Sequence, residues 1–154
     1  MSIQLVRDYL QKHAPYLGVT ELKKSTGTVE QAAEAFGVES GQIAKTLSFY
    51  VNEKVVLLVM AGDKRLDNRK YKTFFGVKAR MVPSEEVELR TGFAPGAVSP
   101  LGVHSSVTVY CDESLKNFKE VIPSGGNDRS GVWIAPDHLA DLTGAVWVDL
   151  CTES

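Results

Sequence analysis

TLSFYVNEKVVLLVMA, residues 46–61, decides the fold class. Its two halves, Thr46–Val51 and Lys54–Ala61, are rich in β-branched, aromatic and aliphatic residues, and only Asn52 and Glu53 separate them. That spacing predicts an antiparallel hairpin with a tight turn, although Glu53 suits a primed turn less well than glycine does. On the N-terminal side, Thr28-Val-Glu-Gln31 has the capping-box form. The alanine-rich run to Phe36 is helical, and Gly37 supplies a left-handed stop. Farther back, apolar residues at helical spacing predict an amphipathic helix over 3–12 with Ser2 as its cap, and 15–27 breaks the pattern.

On the C-terminal side, Asp67 caps a short helix through Phe75 that Gly76 ends. Lys78–Val82 reads as a strand, and Pro83-Ser84 opens a helix ended at Gly92. Residues 93–104, FAPGAVSPLGVH, are punctuated by glycine and proline and read as a structured loop, a common place for function. Val107–Cys111, Lys119–Ile122, Val132–Ala135 and Ala145–Leu150 read as strands. Ser114–Phe118 reads as a helical turn, and a last helix runs from Pro136-Asp137 to Gly144. Interleaved short strands and helices without a repeat predict an α+β fold, a mixed and partly barrel-like sheet with helices outside. A chain of 154 residues is expected to make one domain over 1–154.

Hydrophobic residues at 44% and charged residues at 23% are globular averages that argue against a disordered or collagen-like chain. No apolar run approaches the roughly 18–20 residues of a membrane span, and MSIQLVRDYLQKH lacks the layout of a signal peptide. A cytoplasmic location is therefore expected, and the two cysteines, Cys111 and Cys151, fit ordinary thiols there. A net charge of −2 offers no global attraction to DNA or an anionic membrane. The distribution is less even. Seven basic residues lie between Lys64 and Arg80, among them Arg69, Lys70 and Lys72, against the single acid Asp67, whereas the chain from Asp112 onward is acidic. A basic face that meets phosphates while the acidic tail faces away is one reading, and a solvated helix face is the other.

The signatures of serine hydrolases, nucleotide hydrolases, dinucleotide-binding folds and metalloproteases are missing. His13, His104 and His138 have no ligand-like spacing, so no metal is expected. His104, beside the glycine loop, could serve as a base, but a lone loop histidine is more often a solvated side chain. What remains is a pair of glycine-bearing loops, Gly96-Ala97-Val98-Ser99-Pro100 and Ser124-Gly125-Gly126, with Lys45 at the entry to a strand. Glycines let backbone N–H groups approach a ligand closely, and a lysine adds a point charge for phosphate. These residues point to an anion- or carbonyl-binding α+β domain.

Five segments carry a more specific likeness. Ala32-Ala-Glu-Ala-Phe-Gly-Val, Ile43-Ala-Lys-Thr-Leu47, Gly96-Ala-Val-Ser-Pro-Leu-Gly102, Ser124-Gly-Gly126 and Ile134-Ala-Pro-Asp-His-Leu139 resemble, in order and spacing, the YbaK/ProX-type aminoacyl-tRNA editing family. The resemblance spans about residues 28 to 150. It implies hydrolysis of the ester joining a wrong amino acid to tRNA, in a fold of strands curled around a pocket. It assigns Lys45 to the terminal adenosine and phosphate of the acceptor end and Thr46 to the pocket wall. Gly96 through Pro100 become the loop that holds the substrate carbonyl and water through backbone N–H groups, and Ser124 to Gly126 the second loop of the site. A side-chain nucleophile is not obligatory where an oxyanion site exists and substrate hydroxyls assist.

The implied partners are the acceptor end of an aminoacyl-tRNA and an aminoacyl-tRNA synthetase, without DNA, membrane, metal or organic cofactor. Two positions depart from the pattern of cysteine-removing members. Gly131 stands where they have an acidic residue, and Thr28 where they have a bulky aromatic at the rim. These departures weaken the transfer of a cysteine assignment and leave alanine, serine and threonine as alternatives, so the amino acid removed stays open. A trans-editing deacylase is the expected activity, and a non-catalytic module that binds aminoacyl-tRNA or a synthetase is the competing one.

Overall fold

The computed structural model describes residues 2–153. Along the chain run α1 (Ser2–His13), β1 (Thr20–Glu21), α2 (Val29–Phe36), β2 (Ala44–Val51), β3 (Lys54–Ala61), α3 (Asn68–Phe75) and α4 (Ser84–Thr91). β4 (Thr108–Asp112), β5 (Ser130–Gly131), α5 (Pro136–Thr143) and β6 (Val146–Val148) follow. The local signals act as the sequence predicts. Thr28 Oγ1 accepts the N–H of Gln31 at 3.1 Å, and Asp67 Oδ1 accepts those of Arg69 and Lys70 at 3.0 Å. In the hairpin turn, positive φ falls on Asn52 alone among non-glycine residues (58°), so Glu53 never has to adopt it.

The main sheet is mixed, in the order β2-β3-β4-β6. β2 pairs antiparallel with β3 from Ala44↔Ala61 to Val51↔Lys54, and β4 lies parallel to both β3 and β6. Alternation along the hairpin sorts its side chains onto two cores. Ala44, Tyr50, Val55, Leu57 and Val59 join the larger one, with Val6, Leu10 and Leu139. Phe49, Val56, Leu58 and Met60 face the other, with Tyr71 of α3 and Leu150 of the C-terminal segment.

The sheet is open, so the barrel-like expectation is corrected. Past β2, pairing divides. Met81 bridges Phe49 at one end of the strand and Ile122 bridges Ile43 at the other, so the edge parts instead of closing. The strands expected at 78–82, 119–122 and 132–135 shrink to single bridges at Met81, Val121, Ile122 and Ile134. A two-residue strand forms instead at Ser130–Gly131, against β1 in the segment read as irregular.

The acidic tail does not face away from the basic stretch, which is a second correction. Leu66 bridges Cys151, Asp67 N–H donates to Leu150 O at 2.8 Å, and Lys70 Nζ lies 3.1 Å from Asp149 Oδ1. Asp112, only 1% exposed, secures this segment by accepting the N–H of Leu150 (2.7 Å) and that of Ser114 (2.9 Å). Asp112→Ala leaves both donors buried and unpaired and is expected to cost about 2–5 kcal/mol, read as a lowered urea midpoint at unchanged m value.

Candidate active site

Where β2's outer edge parts, a cavity of about 310 Å³ opens. Thr28, Val29, Ala32 and Phe36 of α2 form one wall, Met81, Val82 and Val87 another, and Pro95, Gly96 and Val98 a third. Ile122, Pro123 and Ser124 close the fourth side, and β2 from Ala44 to Ser48 lies along the base. The structure thus brings together Lys45, Thr46, Thr28, Gly96, Val98 and Ser124 of the residues singled out in the sequence. It adds Ser48, which an alternation reading of the strand, Thr46 then Ser48, could have found.

Backbone hydrogen bonding on β2 leaves a polar gap at the cavity. Ala44 N–H donates to Ile122 O (3.1 Å), Val82 N–H to Ser48 O (3.0 Å) and Tyr50 N–H to Arg80 O (2.8 Å), so the even-numbered residues turn their backbone groups outward. Thr46 is the even residue between these partners, and its N–H and C=O have no acceptor or donor among the described residues. Its hydroxyl Oγ1 is also buried without a partner. Burying such a group unpaired costs about 1–3 kcal/mol, which marks the spot as built for something other than stability.

The first glycine loop supplies donors. Gly96 adopts φ 83°, a conformation that L side chains rarely take, and turns the chain along the cavity. Ala97 N–H is used on Ala94 O (3.0 Å), whereas the N–H groups of Gly96, Val98 and Ser99 have no acceptor among the described residues. Ala97, Ser99 and Pro100 themselves sit buried behind the wall. Ser99 Oγ accepts Leu101 N–H at 3.1 Å. In the second loop, Ser124 Oγ donates to Ala97 O (3.0 Å) and accepts Gly126 N–H (3.0 Å), tying the two loops together. Gly125 N–H donates to Ser130 O, so this loop's glycines stand behind the cavity with their donors engaged.

Among the described residues, Lys45 is the only titratable one lining the cavity. By strand alternation its side chain leaves β2 on the α3 side, opposite Thr46 and Ser48, and Nζ donates to Lys64 O at 2.6 Å. Burial lowers its pKa from the ordinary 10.5, opposed by the nearby Cys151, Asp63 and Glu30. The chain segment carrying Lys64 is in turn held by the tail, through Thr152 N–H to Arg65 O (2.9 Å) and Lys64 Nζ to Glu153 O (3.3 Å). Arg69, Lys70 and Lys72 lie on α3, outside the cavity wall and on Lys45's side of the sheet. Arg69 and Lys72 are exposed, and Lys70 is engaged by Asp149 and by Cys151 O (2.9 Å).

Among the described residues no nucleophile is poised. Cys111 is fully buried and burial pushes its thiol up to about 12; burial does the same for Cys151. His104 sits outside the cavity with Nδ1 2.8 Å from Ser106 Oγ. Gly131 has a steric reason. A Cβ there would lie 2.6 Å from Ile122 Cγ2 and 2.7 Å from the Phe36 ring, so any side chain would displace two cavity walls.

Among the described residues the lining thus combines backbone donors, one lysine and an apolar hollow without carboxylates. Residues 23–142 match the model of the aminoacyl-tRNA editing domain, and the chain belongs to that family. It is 41% identical to the uncharacterized protein YwhH of Bacillus subtilis (strain 168), over 99% of both chains. It is 29% identical to the "Putative Cys-tRNA(Pro)/Cys-tRNA(Cys) deacylase EbsC" of Enterococcus faecalis (strain ATCC 700802 / V583), over 82% of this chain and 78% of that one. Among solved structures it superimposes on "a putative trans-editing enzyme for prolyl tRNA synthetase" with a TM-score of 0.90 at 38% identity, covering 98% of this chain and 97% of the other.

Proposed function

We propose that this protein is a cytoplasmic single-domain hydrolase that acts in trans on mischarged aminoacyl-tRNA, cleaving the aminoacyl ester in the cavity beside β2. One observation carries the reading. The cavity offers unpaired backbone N–H groups at Gly96 and Val98, and among the described residues no titratable side chain enters it from the face of Thr46 and Ser48, which suits attack on a carbonyl stabilised by backbone donors. The placement of Lys45 supports it further. Its ammonium lies on the same side of the sheet as α3, so an acceptor end crossing the β2 edge would meet Lys45 with its phosphates and carry its ester into the cavity. A synthetase that hands over the tRNA fits the relatives and is part of the proposal.

The test is incubation of the purified protein with tRNAs charged with cognate and non-cognate amino acids, followed by loss of acid-precipitable label. Multiple turnovers with a mischarged tRNA are expected. Protection of the label without turnover would support the competing reading, a binding module.

Two properties of tRNA binding follow. Affinity falls as salt rises, with a log–log slope of roughly 0.7–0.9 per phosphate contact. Arg69→Gln with Lys72→Gln is expected to flatten that slope, and Lys70→Gln to flatten it less because Asp149 already holds that ammonium. A wild-type slope in the double variant would return α3 to a solvated surface. Affinity for uncharged tRNA is also expected to weaken as pH rises, starting below the range in which a free lysine titrates, since burial makes Lys45 release its proton early. Lys45→Arg, which stays charged, removes that alkaline decline in a fluorescence titration.

A further inference from the structure

Among the described residues lining the cavity, most hydroxyls are occupied. Thr28 caps α2, Ser124 ties the loops, Thr26 Oγ1 accepts the N–H of Ser130, and Ser130 Oγ donates to Asn127 Oδ1. Ser84 is exposed at the rim. Two hydroxyls remain inside without a protein partner, Thr46 and Ser48, the first with Oγ1 buried and the second on a residue 5% exposed. They stand two apart on β2, so alternation puts them on one face, the face of Ala44 and Tyr50. Around them the walls are apolar, with Val82, Val87, Val98 and Ile122, and no carboxylate or amide lies among the lining residues.

We infer that Thr46 and Ser48 recognise a hydroxyl on the aminoacyl side chain, so that esters of serine or threonine are preferred over those of alanine and cysteine. The inference rests on the deacylase reading above and names its substrate class. A methyl side chain would leave both hydroxyls unpaired in an apolar hollow, whereas a hydroxyl donates to one and accepts from the other. A thiol is a weak donor and a weak acceptor and satisfies them poorly. Sites that hydrogen-bond a substrate hydroxyl reject the analogue lacking it far more strongly than apolar pockets reject an extra group, because the site's own polar atoms are then stranded.

The experiment charges one tRNA in turn with serine, threonine, alanine and cysteine and compares kcat/KM. Wild-type protein is expected to favour a hydroxyl ester over alanine by about tenfold or more. Thr46→Val, which keeps the shape, is expected to collapse that ratio toward one, and Ser48→Ala to reduce it. Ser48→Ala keeps the test alive if Thr46→Val fails to fold, as judged by its circular dichroism. Preference for alanine or cysteine over both hydroxyl esters overturns the inference. So does a ratio that survives both substitutions, because a uniform loss would place Thr46 on the adenosine or the ester itself. In each of these cases deacylation still occurs and the proposed activity stands. Inertness toward all four esters would instead remove the activity and the inference together.

Discussion

Lys45→Ala is expected to lower kcat/KM for a mischarged tRNA by about 10²-fold, most of it through KM. The ammonium is held at the β2 edge by Lys64 O and belongs to the α3 side of the sheet, away from the ester. A charge so placed attracts phosphate in the ground state and the transition state alike, which lowers KM and leaves the chemical step nearly untouched. Lys45→Arg keeps the charge but replaces a compact ammonium by a planar fork that matches the Lys64 carbonyl less well, and recovers part of the loss. Steady-state kinetics over a tenfold range of tRNA concentration separates the two parameters. A fall confined to kcat would move Lys45 into the bond-breaking step.

The second large effect concerns the loop at Gly96. Proline is fixed near φ −65° and cannot take the 83° found there, and it also removes one of the unpaired N–H groups. Gly96→Pro is expected to reduce turnover by at least 10²–10³, the usual cost of losing an oxyanion donor, in protein whose melting shows that the sheet persists. The nearby side chains behave differently. Ser99 Oγ is committed to Leu101 N–H, and Cys111 is buried with its thiol pushed up to about 12, so Ser99→Ala and Cys111→Ala retain most activity. Ser124→Ala unties the loops at Ala97 O and shows a moderate loss. Normal turnover by Gly96→Pro would leave the backbone-donor mechanism without support.

What the sequence made legible was local. Thr28 and Asp67 announce the helices they cap, and residues 46–61 announce the hairpin, because each signal and its partner lie within a few residues. Pairing around the cavity is not local. Ile122 finds Ile43, Met81 finds Phe49 and Gly131 finds Thr20, contacts of one or two residues that leave no periodicity to read. That is why strands expected at 119–122 and 132–135 became bridges, and why the open edge could pass for a closing barrel. Charge counting met the same limit. Lys70 looked free in the basic stretch because its partner, Asp149, lies 79 residues away. Within the site, Lys45 and the Gly96 loop were marked by residue type, and Thr46 by resemblance. Which face of β2 each side chain takes was already written in the alternation of Lys45, Thr46, Leu47 and Ser48.

The most direct test of this account is a single-turnover reaction of excess protein with a mischarged tRNA, quenched in acid at intervals and read by the intact mass of the protein. The account predicts that the amino acid leaves the tRNA while the protein mass stays unchanged at every time, because water attacks a carbonyl held by the Gly96 and Val98 N–H groups. A transient gain equal to one aminoacyl group, located on Ser99, Ser124 or Cys111, would contradict it.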